Sequence, residues 1–335
     1  MTFPLWIDGT RRRPKLPRMP LVRLYRLHAL ARAACGLLVA LLVLGACERT
    51  APAGSADSGA AAPQATLGGG APARNRSGWN PAAGPTLLVQ GATIDDAIAI
   101  FPFADDTLDQ ALLDSMSSVD APAALLGRGG ARFTARLGAL PDETDAACER
   151  WLLRDVQPQG AGRAWAVGFV DARVASIALD SVDVLTPRDS AMLVAEASRL
   201  ASTISAPASP SFQGLRFTAH DVRRFVAAPG IDAFVAHLVR HVNQEASPRE
   251  EQTLLVAERP RRDAPYRVVY SERSAGREET VVAPEVLAAV RFGDRGAATL
   301  VVARESEIGV VYALLERTVS GSWRVRWTSP ASQCS

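Results

Sequence analysis

Lysine is nearly missing from this chain of 335 residues: Lys15 is the only one, and apart from four histidines every other basic side chain is arginine. That excludes a Walker A phosphate loop, a Schiff-base lysine and the Ser-x-x-Lys arrangement of penicillin-recognising enzymes, because each needs the amine itself. No Gly-x-Ser-x-Gly elbow occurs, and no G-x-G-x-x-G follows a strand pattern. A Ser/His/Asp enzyme stays open, since triads assemble in space rather than in sequence. Positive charge is also scarce once the start of the chain is set aside. Residues 1–46 hold eight basic groups and one acid, Asp8, which leaves 29 basic and 34 acidic residues of the total 37 and 35 for the remainder. A remainder near −5 does not offer the bulk basic surface that a general nucleic-acid binder needs, so no nucleic-acid partner is expected.

What is present begins with an address. Arg23, Arg26 and Arg32 precede the uncharged run Ala33–Ala46, AACGLLVALLVLGA. As a helix its fourteen residues would rise about 21 Å, short of a hydrocarbon core of roughly 30 Å. Basic start, apolar middle and small residues at the end describe an export signal rather than a span. Met19 opens a leader of ordinary length and is an alternative start.

The sequence Leu44-Gly45-Ala46-Cys47 resembles the bacterial lipobox. The resemblance implies cleavage before Cys47, a lipid on that cysteine, and a lipid-anchored protein of the bacterial envelope. Under the sorting rule of enterobacterial lipoproteins, Glu48 in place of aspartate implies the outer membrane. Of the four cysteines, Cys35 leaves with the signal and Cys47 carries lipid. Cys148 and Cys334 remain, either as a disulfide, which an oxidising compartment favours, or as two free thiols.

The composition divides the chain into a signal (1–46), a lipidated cysteine and tether (47–85), a mixed part (86–250) and a β-rich part (251–335), the last two open to being one continuous domain. Of the 38 residues Glu48–Pro85, 28 are Ala, Gly, Pro, Ser or Thr. Such a segment spans roughly 35 Å as a flexible coil. Alternation and β-branched content predict strands at Thr86–Gln90, Arg132–Leu137, Ala164–Asp171 and Val174–Leu179. Thr186-Pro187-Arg188-Asp189 predicts a helix start, with Leu193, Ala197, Leu200 and Ile204 on one face. The i, i+3, i+4 spacing of Ile231, Phe234, Val235, Leu238, Val239 and Val242 predicts a second helix over Ile231–Gln244. After Pro248, short runs between turn residues predict an antiparallel meander: Leu254–Glu258, Tyr266–Ser271, Glu279–Ala283, Leu287–Phe292, Ala298–Arg304, Val310–Glu316 and Trp323–Thr328. The fold class read from this pattern is α+β, two helices in a mixed part followed by a β-meander.

Phe292-Gly293-Asp294-Arg295-Gly296 before Ala297–Val302, with Tyr312-Ala313-Leu314 and Trp323-Arg324-Val325, looks like the FG-GAP or VCBS type of β-repeat of secreted bacterial proteins. The resemblance implies a hairpin whose acidic loop holds Ca²⁺; of that acidic set only Asp294 is present here.

Two sets of side chains carry candidate chemistry. On a helix over Ile231–Gln244, His237 and His241 would share a face, with Glu245 one turn on and His220 close in sequence. This is a candidate divalent-metal site, or else the polar edge of an amphipathic helix. On a strand, Trp323 and Trp327 share one face: a ligand-stacking row, or core. No cofactor is otherwise expected. The sequence reading is a lipid-anchored module that binds an envelope protein or glycan. Its alternatives are a lipid-anchored hydrolase of envelope or imported polymers, and a metal-binding protein.

Overall fold

The computed structural model describes residues 78–102, 120–138, 150–160, 162–204, 210–242, 247–261 and 263–334. The signal, Cys47, Cys148 and Glu245 lie outside them. Strands β1 (Leu87–Gln90), β2 (Asp96–Ile100), β3 (Pro122–Leu126), β4 (Arg132–Leu137), β5 (Arg150–Pro158) and β6 (Val167–Val170) close into a barrel in the order β1-β2-β5-β4-β3-β6. Every pairing is antiparallel. Six strands enclose little room, and the interior mixes Ala97, Ala99, Ala123 and Ala135 with Phe133 and Trp151. β4 alternates strictly between exposed and buried residues, as a strand with one wet face must.

The chain then builds two five-stranded antiparallel sheets. β7 (Val174–Ile177), β13 (Ala283–Phe292), β14 (Ala298–Ser306), β15 (Gly309–Arg317) and β16 (Trp323–Ser332) form one, in the order β16-β15-β14-β13-β7. The other comprises β8 (Asp180–Ser181), β9 (Thr218–Ala228), β10 (Ile231–Val242), β11 (Arg249–Arg259) and β12 (Arg267–Arg277), ordered β12-β11-β10-β9-β8. Phe225, Val235, Leu254 and Val256 of the second sheet meet Val286, Leu300, Val302 and Leu315 of the first in a shared core, so the two stack as a sandwich.

Helix α1 (Pro187–Thr203) covers the outer face of the β8–β12 sheet, burying Leu193, Ala197 and Leu200 against Phe234, Leu238 and Leu255. Its start matches the sequence reading: Thr186 caps the Asp189 amide at 3.2 Å and Pro187 takes the first turn. The barrel covers the outer face of the other sheet, where Leu87, Val167 and Phe169 pack on Val290, Phe292, Tyr312 and Leu314. The order of layers is helix, sheet, sheet, barrel.

The α+β reading is therefore corrected. The described residues are mostly strand, and α1 is the one α-helix among them. Ile231–Val242 is a strand, hydrogen-bonded to β9 on one side and β11 on the other. Being central and covered on both faces, it is apolar at eight of its twelve positions without strict alternation, so a helical period can be read into it. Glu279–Ala283 is for the most part a turn that leads into β13. The β8–β12 sheet takes strands from either side of residue 250, so no domain boundary falls there. Gly78–Pro85, read from composition as tether, belongs to the fold: Trp79 is 4% exposed and Ala83 fully buried.

Candidate functional site

At one end of the sandwich the two sheets and the barrel leave a cleft of about 960 Å³. Its walls come from three distant parts of the chain. The barrel gives Val89–Gly91 at the end of β1, Arg128 in the β3–β4 turn, and Ala164–Ala166 before β6. The β9–β10 pair gives His220, Asp221, Arg223, Val235 and His237; the other sheet gives Ala283–Leu287 of β13 with Ala303, Glu305 and Tyr312.

The cleft exists because two strands stop early. β7 pairs with β13 only over Ala289–Phe292, so Ala283–Ala288 has no strand partner on that side. β8 pairs with β9 only at Arg223 and Arg224. The chain crosses from one sheet to the other at Ala178–Leu179, and the gap it leaves is the cleft.

Polar side chains in the walls are tied to one another. Arg128 meets Glu285 at 2.7 Å across the mouth, where both are about half exposed. Arg223 Nε donates to Asp221 at 2.7 Å. His237 is cross-strand from Asp221 and hydrogen-bonds to Gln252 Oε1. Gln252 Nε2 in turn donates to Glu250 at 2.7 Å, and Glu250 meets His241 Nδ1 at 2.8 Å. With its amide nitrogen spent on Glu250, Gln252 accepts from His237, which places the His237 proton on Nε2. Burial holds the His237 pKa below the usual imidazole range, against the hydrogen bond to Gln252, which works the other way. Tyr312 is pushed up to about 12, first by burial and then by the carboxylates of Glu285 and Glu305. At neutral pH the cleft thus presents a neutral imidazole and a protonated phenol.

Among the described residues, the structure brings His220 and His237 together and sets His241, Trp323 and Trp327 apart from them. His220 and His237 are in ring contact. His241 lies along the same strand, and four residues at about 3.4 Å each put it roughly 13 Å from His237, so the shared helical face that motivated the metal site does not exist. Among the described residues no group of three or more His, Cys, Asp or Glu is arranged to hold a metal ion. Trp323 packs edge-on against Phe225 and donates to Glu258 at 2.6 Å. Trp327 packs against Trp79, and Trp323 and Trp327 are 5% and 1% exposed, so both are core. Cys334 is buried and disulfide-bonded, and the other three cysteines lie outside the described residues.

Sequence reading missed Arg128, Glu285, Glu305 and Tyr312 because nothing local marks them. β13 and β14 pair antiparallel through the turn at residues 293–297. Compared with protein-family models, curated proteins and solved structures, the chain matches none.

Proposed function

We propose that this chain is a lipid-anchored protein of the bacterial envelope, its folded part a binding module whose ligand occupies the cleft between barrel and sandwich. Export by residues 1–46, anchoring at Cys47 and an outer-membrane address from Glu48 rest on the sequence pattern alone. The observation that supports the binding reading is the cleft itself. Its volume suits a ligand of a few tens of atoms, about half of its lining residues are Val, Ala, Pro or Leu, and four of its charged side chains are already paired as Arg128–Glu285 and Arg223–Asp221. None of its lining residues is Ser, Thr or Cys.

The anchor is tested by growth with labelled palmitate: the wild-type chain takes up label and fractionates with outer membranes, and Cys47→Ala does neither. The cleft is tested by a thermal-shift screen of the full chain against peptides, peptidoglycan fragments and divalent metals with a chelator control. A ligand at 100 times its Kd adds about 2.7 kcal/mol. That shift disappears in a variant that fills the cleft, such as Ala303→Trp, if the ligand sits there.

One observation favours a hydrolase as the second reading: a neutral His237, His220 and Asp221 lie together in the wall, a set able to draw a proton from water. Turnover of an envelope polymer that is lost in His237→Gln with the fold retained would establish it.

A further inference from the structure

The β13 edge says what kind of ligand the cleft takes. Five consecutive residues, Ala283 to Leu287, line it. Consecutive lining residues mean that the strand presents its backbone edge, since side chains alone would line a cavity at every second position. The edge is the part of β13 that β7 leaves unpaired. An unpaired strand edge is a template for another strand. Pro284 sits in it, where prolines in sheets are confined, so the edge lacks that one N–H and an added strand is held there through the remaining donors and acceptors.

We propose that Ala283–Leu287 takes an extended peptide of a partner protein as an added strand in line with β7, basic side chains turned toward the Glu305 side of the cleft, where Glu285 is already held by Arg128, and small apolar ones toward Val235 and Val286. The inference rests on the cleft being the binding site. About five peptide residues, some 17 Å, match the free edge. The two faces of the added strand meet different surroundings. On the barrel side, Glu285 and Glu305 flank the protonated Tyr312. Glu305 has no ion-pair partner among the described residues, and opposite it on β13 stands only the small Ala283. On the sandwich side, Val286 and Val235 belong to the apolar core. Alternating basic and small apolar residues therefore satisfy both faces at once. The Gly- and Pro-rich tether of this chain is a poor β-former and does not carry that pattern.

The test uses the full chain in detergent and a fluorescent peptide, acetyl-Val-Lys-Val-Arg-Val-Lys, with polarisation and hydrogen exchange as readouts. Binding is expected, with slowed exchange at Ala283–Leu287. A Glu-for-basic version of the peptide should bind at least tenfold more weakly. N-methylation of one alternate set of amides should abolish binding while methylation of the other set is tolerated, because only one set faces β13. Glu305→Arg, at an exposed site, should weaken the basic peptide about tenfold with an unchanged melting temperature. Equal tolerance of both methylated sets, equal binding of the acidic peptide, or a dimer formed through this edge would overturn the proposal. If no peptide binds but a peptidoglycan fragment slows exchange around His220 and His237, the cleft remains the site and strand addition fails. If a peptide binds while exchange in the cleft is untouched, both fail.

Discussion

The imidazole of His220 lies against that of His237 with ring centroids 4.9 Å apart and planes tilted by 50°. His220 sits on β9 and His237 on β10. Asp221 and Arg223 share their wall, Glu250 and Gln252 flank them from β11, and Glu285, Glu305, Tyr312 and Arg128 stand across the cleft. Burial keeps His237 neutral in the fold to a lower pH than in the unfolded chain. As the pH falls through about 6.5 the unfolded chain takes up a proton that the folded one refuses, so stability declines. Urea unfolding between pH 7.5 and 5 should show that decline, and His237→Gln should flatten it. A slope unchanged in the variant would remove His237 as its source.

Arg304 and Glu272 form a two-bonded pair between β14 and β12 inside the sandwich, at 3.0 and 2.6 Å. Both side chains are about nine-tenths buried. Removing one partner strands a charge in the core and should cost about 3–5 kcal/mol. Arg304→Met alone and Glu272→Leu alone should each show that loss in denaturant unfolding, and the double variant much less than their sum. Tyr270 also donates to Glu272 at 2.5 Å, so Tyr270→Phe belongs in the double background to avoid an unpaired hydroxyl. Additive losses would mean the two residues do not act as a pair.

Trp79 ties the start of the described residues to the last strand. Its ring meets Trp327 edge-on at 4.7 Å, its Nε1 donates to Gly84 O at 2.7 Å, and Arg326 Nε donates to Gly78 O at 3.1 Å. Trp79→Ala should lower stability by about 3–5 kcal/mol. A chain cut at Thr86 should lose at least as much, while one cut at Gly78 keeps nearly all of it. Equal stability of the two truncations would return residues 78–85 to the tether.

These residues show where sequence reading works and where it stops. α1 was legible because its signals are local: a threonine cap, a proline in the first turn and a spaced apolar face. β4 was legible because one of its faces is wet. β10 was not, because α1 covers one face and the facing sheet the other, which erases the alternation that identifies a strand. The informative signal was the turn before it, Pro229-Gly230, where Gly230 adopts φ +76° and joins β9 to β10. Trp79 was hidden by the composition around it. The cleft was beyond reach: it joins residues near 90, 220–237 and 283–312, and its cause is the early end of β7, a property of pairing rather than of any motif.

Cys334 is disulfide-bonded, and we propose Cys148 as its partner, since under the lipoprotein proposal Cys35 would leave with the signal and Cys47 would carry the lipid. Such a bridge would close a loop of 187 residues and tie the end of the chain, just past β16, to the segment before β5. The chain-entropy view sets an upper bound of about 5 kcal/mol for a loop of that size, and measured values run lower. Peptide mapping without reductant should recover the two cysteine peptides as one species that separates on reduction. Cys148→Ser, Cys334→Ser and the double variant should then lose the same stability, because either single change already opens the loop. A Cys334 that alkylates without reductant would defeat the pairing, and a dimer seen only on non-reducing gels would move the bond to a second chain.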